Sequence, residues 1–105
     1  SMILVHISCK TAAQADAVVT FLLEEKLMLN ALVSEKMMYK TSLKGHIKAD
    51  SRVLVMGTTK ALLFTTINEK ITSKFPKETP LVYAMPIVYM DEEQGHFLRE
   101  NTEKV

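Results

Sequence analysis

The spacing of apolar and polar residues divides the chain into four predicted strands and three predicted helices. Strands are predicted over residues 3–8, 27–41, 47–57 and 81–89, with the turn between the second and third at Ser42 to Gly45. Pro76 and Pro80 bracket the loop before the fourth strand, because a proline disfavours helix in the residue before it.

Two of the predicted helices have apolar residues at helical spacing. The first follows Thr11, which forms a capping-box pattern with Gln14. We expect Thr58 or Thr59 to cap the second helix. Its buried face is predicted to consist of Leu63, Phe64, Ile67, Ile71 and Phe75. A short last helix is predicted to start at Asp91, because acidic residues are favourable at a helix N-terminus.

The predicted order is β-α-β-β-α-β followed by a short C-terminal helix. This is the ferredoxin-like arrangement of the α+β class, in which both helices lie on one face of an antiparallel sheet. We expect a single domain over residues 2–105. Ser1 before the methionine is typical of a residue left by an expression tag, and it is left out of the predicted domain.

Two predicted strands carry apolar residues on both of their faces, at Val53 to Met56 and at Leu81 to Met85. An antiparallel sheet with one face in water alternates between apolar and polar residues. Exposure of the second face would leave a larger apolar patch than monomers usually carry. We therefore expect a second covering layer, and a further copy of this chain is the favoured one. Loops and the last helix are the alternative.

Composition and charge exclude several classes of partner. The formal net charge is +1 and the basic residues are scattered, which disfavours nucleic acid as a partner. The sequence contains no run of eighteen apolar residues, so no membrane span is predicted. Cys9 is the only cysteine and cannot form an intrachain disulfide, which favours a reducing compartment, and we expect the cytoplasm.

Several short motifs, in their order along the chain, resemble the CutA divalent-cation tolerance family. They are Glu25-Lys-Leu27, Leu43-Lys-Gly45-His46-Ile47, Phe75-Pro76, Met85-Pro86-Ile87 and Phe97-Leu98. The resemblance implies a ferredoxin-like subunit in a tight homotrimer, with a loosely defined role in tolerance to divalent metals such as copper. Together with the two-sided strands, it predicts subunit contacts at Tyr39, Leu43, Ile47, Tyr83, Met85, Ile87 and Tyr89.

This chain departs from the family pattern at positions that matter for metal binding. Asn30 and Phe75 stand where the resemblance calls for a cysteine and a histidine. The remaining candidate ligands are Cys9, His6 and His46, which form no closely spaced ligand pair. We therefore expect no dedicated cofactor and only weak binding of copper or zinc. The methionines are the alternative set for a soft metal, although packing in a core or interface is the favoured interpretation.

The sequence contains no phosphate-binding glycine loop or nucleophile elbow, so a non-enzymatic binding module is predicted. The alternative is a regulatory module similar to PII-like trimers, which would bind a small anion or nucleotide in the cleft between subunits. Its candidate residues are Lys74 and Lys77, near His46 and Lys48, with a helix start at Thr58 and Thr59. This parallel is an analogy of fold.

Overall fold

A five-stranded antiparallel sheet forms the framework of the protein in a computed structural model that covers Ser1 to Val105. The strands are β1 (Met2–Cys9), β2 (Leu32–Val33), β3 (Met37–Leu43), β4 (His46–Lys60) and β5 (Leu81–Pro86). The helices are α1 (Ala12–Glu24), α2 (Phe64–Lys74), which follows a 3-10 turn at Ala61–Leu63, and α3 (Glu92–Asn101). None of these helices combines the length and the apolar character that crossing a bilayer requires.

The strand order is β2-β4-β1-β5, and β3 pairs with the far end of β4. Since β2 and β3 together take the place of one strand, this topology confirms the predicted ferredoxin-like class. β1 lies at the centre, with Ile7 opposite Val55 of β4 on one side and Val82 of β5 on the other. The long β3–β4 hairpin extends beyond the helices and accounts for the elongated shape, 47 Å by 27 Å by 23 Å.

The predicted cap of α1 is confirmed, with one difference in detail. Thr11 Oγ1 accepts a hydrogen bond from the Gln14 backbone N–H at 3.0 Å. The Gln14 side chain reaches back to the N–H of Lys10 at 2.8 Å, one residue before the N-cap itself. Asp91 caps α3 in the same manner, and its carboxylate accepts from the Gln94 N–H at 3.0 Å.

The strand predicted over residues 27–41 is wrong over 27–31 and 34–36 and is confirmed over 32–33 and 37–41. Leu27 and Met28 are fully buried, but they lie in the loop that ends α1, where both backbone amides donate to the Leu22 carbonyl. Further along, Ser34 follows the end of β2, and its N–H still donates to the Leu54 carbonyl at 2.9 Å. Its hydroxyl accepts from the Leu54 N–H at 2.8 Å, in the place of a backbone carbonyl. Leu27 and Met28 therefore contribute to the core from a loop and not from a strand. β2 and β3 are two separate strands.

The predicted cap at Thr58 or Thr59 is also wrong, because both residues lie inside β4. Thr59 is fully buried and its hydroxyl donates to the Leu27 carbonyl at 2.6 Å. α2 begins without a side-chain cap, and its predicted face is buried at Leu63, Ile67 and Ile71. A hydroxyl in a strand can thus be satisfied by a neighbouring loop, a contact that local sequence does not reveal.

The fourth strand ends at Pro86, so its predicted extension over residues 87–89 is wrong. Proline has no backbone N–H to continue a ladder. The next amide, that of Ile87, still donates to the Met2 carbonyl at 3.0 Å, after which the chain leaves the sheet. Tyr89 is 92% exposed as a result.

One cluster of buried side chains holds α1 and α2 against the sheet. We name the side of the sheet that they cover the covered face. β1 contributes Val5, Ile7 and Cys9, and β4 contributes Val53 and Val55. The helices contribute Ala15, Val18, Leu22, Ile67 and Ile71 to the same cluster. The alternate residues of these strands point to the other side of the sheet.

Candidate functional site

The side of the sheet turned away from α1 and α2 is mainly apolar and is not covered by them. We name it the open face. Cross-strand pairing assigns to it Leu4, His6, Ser8, Leu54, Met56, Thr58, Leu81, Tyr83 and Met85. Leu81 is 62% exposed, and Tyr83 and Met85 are each more than 40% exposed. α3 lies beside one end of this face and forms with it a hollow of about 610 Å³ lined by Thr58, Met90 and Phe97.

His6 lies at the centre of the open face, between Met56 of β4 and Tyr83 of β5. Its Nδ1 atom is 3.2 Å from the Tyr83 hydroxyl oxygen. The two rings have centroids 5.3 Å apart and are tilted by 44°. This contact fixes the imidazole against β5, while its Nε2 atom makes no hydrogen bond within the chain. A polar pair is thus held in place within an apolar surface.

Cys9 lies on the covered face, on the other side of β1 from His6. Its side chain is fully buried in the core, with the sulfur 3.8 Å from the Ile7 carbonyl oxygen. Burial raises the pKa of the thiol to about 11, because the apolar surroundings disfavour the thiolate. Since the thiolate is the form that binds metals, Cys9 is a poor ligand in the folded protein.

His46 opens β4 at the tip of the hairpin, opposite Leu43. His6 pairs with Met56 near the other end of the same strand. At roughly 3.3 Å per residue, His46 and Met56 are about 33 Å apart along the strand. The structure therefore does not bring His6, Cys9 and His46 together within one chain. No group of three or more His, Cys, Asp or Glu side chains is placed to hold a metal ion.

The predicted subunit-contact residues occupy two separate surfaces. Tyr83 and Met85 belong to the open face, and Ile87 and Tyr89 follow it along the chain. The other three lie on the hairpin at Tyr39, Leu43 and Ile47. Leu43 and Ile47 are each more than 70% exposed. The Arg52 guanidinium lies 4.1 Å from the centre of the Tyr39 ring, an arrangement typical of a cation–π contact.

The residues proposed for an anion pocket are dispersed. Thr58 and Thr59 are strand residues and offer no free helix amides. Lys77 lines a cavity of about 520 Å³ between the start of α1 and the loop after α2. The Lys74 ammonium is 5.5 Å from the centre of the Phe21 ring, while His46 and Lys48 lie on the hairpin. Within one chain these side chains form no common pocket.

The neighbourhood of His6 and Met56 is the arrangement that sequence reasoning missed. Packing in the core or at an interface is the interpretation that the sequence favours for the methionines, and Met2 and Met28 are the two in the buried core of this chain. Met56 lies opposite His6, half-buried on the open face. A local signal was available, because both residues alternate with apolar core residues, Ile7 beside His6 and Val55 beside Met56. That alternation indicates the face of each side chain but not its partner.

Comparison with known proteins gives a consistent result. A family model described as CutA1 divalent ion tolerance protein matches residues 3–101. A divalent cation tolerance protein from Thermus thermophilus superposes with a TM-score of 0.89 at 23% identity, covering 98% of this chain and 100% of that one. CutA1 from Oryza sativa gives 0.90 at 17% identity, with coverages of 99% and 95%.

A third similar structure is a protein from Archaeoglobus fulgidus described as a periplasmic divalent cation tolerance protein. It gives a TM-score of 0.88 at 19% identity and covers 98% of this chain and 100% of that one. No curated protein sequence matches the chain. At these identities the structural matches establish the fold, and the family model establishes the relationship by sequence.

Proposed function

Because this chain belongs to the CutA1 divalent ion tolerance family, we propose that it is a non-enzymatic binding module in tolerance to divalent metals such as copper. We further propose that it acts as a homotrimer in the cytoplasm. The observation that carries the proposal is the family match over residues 3–101, which spans all five strands except the first residue of β1.

Self-association is supported by the open face and the hairpin. Both expose large apolar side chains that one chain does not cover, such as Leu81, Leu43 and Ile47. Full burial of each such side chain is worth roughly 1.5–3 kcal/mol. A second or third copy is the simplest cover, since homo-oligomers with closed symmetry are the most common assemblies. The number three comes from the family resemblance.

A binding role is supported by the chemistry of the open face. Its polar groups are a histidine, a tyrosine, a serine and a threonine among apolar residues, and the pair with a direct contact is His6 with Tyr83. For divalent ions the candidate ligands His6, Cys9 and His46 lie apart, and Cys9 is held as a neutral thiol. We therefore expect weak binding of Zn²⁺ and Cu²⁺, with any tighter site assembled at a cleft between subunits.

Two measurements test this function. Size-exclusion chromatography with light scattering should give about three times the mass of one chain at micromolar concentration. Tyr83→Asp should lower that mass, whereas Thr65→Asp, on the exposed side of α2, should not. A stable monomer for the unmodified chain would exclude the trimer.

Calorimetric titration with Zn²⁺ and Cu²⁺ should give dissociation constants weaker than about 1 µM, or less than about 8 kcal/mol of binding free energy. Parallel thermal-shift measurements with ATP and inorganic phosphate distinguish the PII-like alternative, because a ligand that binds only the folded state raises its melting temperature. A rise with ATP but with neither metal would favour that alternative.

A further inference from the structure

Two methionine side chains flank His6 on the open face. Met56 is its direct cross-strand partner on β4. Met85 pairs with Leu4, two residues before His6 on β1, so it is the diagonal neighbour of His6 on β5. Directly opposite residues have Cβ atoms about 5 Å apart, and diagonal neighbours about 7–8 Å, still within reach of a long side chain. Both thioether sulfurs can therefore approach one imidazole.

The contact of His6 with Tyr83 matches the arrangement of a metal-binding histidine in the tautomer that carries its hydrogen on Nδ1. Ligating histidines usually donate their second ring N–H to a neighbouring group, which fixes the tautomer and the ring plane. With its hydrogen on Nδ1, His6 donates to the Tyr83 oxygen across 3.2 Å. The Nε2 lone pair is then available, and it has no hydrogen-bond partner in the chain.

The neighbouring strand residues of the open face are uncharged, and the carboxylates of Asp91 and Glu93, at the start of α3, line the hollow that adjoins Thr58. On the open face, the cross-strand pair of Leu4 and Thr58 lies on one side of His6 and Met56, and the pair of Ser8 and Leu54 lies on the other side. β5 adds Leu81 and Tyr83. A hard divalent ion prefers oxygen ligands and additional negative charge. One imidazole and two thioethers instead suit a soft ion of low charge, because thioether ligands select Cu(I).

We propose that His6, Met56 and Met85 form a binding site for a soft monovalent metal ion of the copper(I) class. His6 Nε2 and the two sulfurs are the ligands, and Tyr83 is the positioning residue that holds the imidazole. The proposal extends the metal part of the proposed function and rests on it for its biological meaning. The site lies on the face that self-association would cover, so the bound ion would be shielded from water.

This site is chemically distinct from Cys9. The thiol is a soft donor too, but it is fully buried on the covered face, across the sheet from His6. An ion bound at Cys9 would have to enter the core of one subunit, whereas His6 and Met85 lie on the face that self-association would cover. Replacement of the thiol therefore separates the two sites experimentally.

The test is competition for Cu(I) under anaerobic conditions, using the intact protein and the chromogenic chelator bicinchoninate. One Cu(I) per chain should leave the chelator. The Met56→Leu/Met85→Leu double variant should bind at least tenfold more weakly, and leucine nearly conserves the volume of methionine. Met38→Leu is the matched control, since Met38 is 78% exposed on the hairpin. Cys9→Ser should bind as the parent does.

Equal affinity of the parent and the double variant would overturn the proposal, as would loss of binding in Cys9→Ser alone. If the double variant does not fold, methyl NMR of the parent decides the question. One equivalent of Ag(I), a redox-inert soft ion, should shift the methyl resonances of Met56 and Met85 and leave that of Met38 in place. A uniform response, or none, would overturn the site.

The two proposals fail separately. A monomer that binds Cu(I) through Met56 and Met85 would exclude the trimer and retain the site. A trimer whose Cu(I) affinity does not depend on these residues would retain the assembly and exclude the site.

Discussion

The two faces of the sheet are built from alternate residues of the same strands, yet they differ in burial and in the chemistry of their side chains. On the covered face, Val5, Ile7 and Val55 are fully buried beneath α1 and α2. On the open face, their neighbours His6 and Met56 remain partly accessible and carry the polar and sulfur groups. One strand thus supplies core residues with one set of side chains and a partly accessible polar and sulfur-containing surface with the other.

The largest contrast is expected between two adjacent residues of β4. Val55→Asp places a carboxylate in the core, where it has no partner, and should cost several kcal/mol, enough to abolish cooperative unfolding. Leu54→Asp places the same group on the open face and should retain the fold while lowering the oligomeric mass. Circular dichroism, urea unfolding and light scattering measure the two effects. Equal loss of structure in both variants would show that the open face is already buried in the folded chain.

The second contrast concerns pH. Cys9 ionises at about 11 in the folded chain, against an ordinary value of 9.0 for its pKa, because burial disfavours the thiolate. The unfolded chain therefore loses this proton first. The contribution of the buried neutral thiol to the free energy of unfolding is fully present below pH 9. It is lost as the pH rises towards 11, and the loss is at most about 2–3 kcal/mol.

Urea unfolding between about pH 8 and pH 11 should show a smaller loss of stability in Cys9→Ala than in the parent, because the variant has no thiol to ionise. Ser8→Ala, on the open face, is the control and should follow the parent profile. Identical profiles for all three proteins would mean that Cys9 is accessible to water in the folded state.

Neighbouring threonines of β4 provide the third contrast. Thr59→Val removes the hydroxyl that donates to the buried Leu27 carbonyl, and should cost about 1–3 kcal/mol because that carbonyl loses its partner. Thr58→Val, on the open face, should change the unfolding free energy by less than about 0.5 kcal/mol. A reversed order in urea unfolding would contradict the assignment of the two faces.

The smallest expected effect on stability is at the exposed surface of α1 and α2, the helices that cover the sheet. Lys70 of α2 forms an ion pair with Glu25 at the end of α1, with 3.0 Å between nitrogen and oxygen. Both side chains are more than 40% exposed, so Lys70→Ala should cost less than about 1 kcal/mol, and less still in about 1 M salt. A larger loss, measured by thermal unfolding at low and high salt, would mean that this ion pair contributes substantially to the contact between α1 and α2.

Local signals were sufficient for the parts of the fold that depend on nearby residues. The Thr11 cap, the buried face of α2 and the turn before His46 follow from patterns within a few residues. Two of the failures share a cause. Local pattern assigns Leu27, Met28 and Thr59 to the wrong elements. Leu27 and Met28 lie in a loop that packs against β4, and Thr59 of β4 donates a hydrogen bond to the Leu27 carbonyl of that loop. These contacts join residues that are far apart in the sequence.

Apolar periodicity in the amino-acid sequence was enough to establish the order of the elements and the excess of apolar surface, because both depend on side-chain type and spacing along the chain. The partners of His6 were not accessible in this way. Met56 is fifty positions away and Tyr83 is seventy-seven, and they meet His6 only because β4 and β5 pair with β1 in one register. A shift of one residue would move each side chain to the other face. The core packing of alternate residues sets that register, and so the covered face positions the chemistry of the open one.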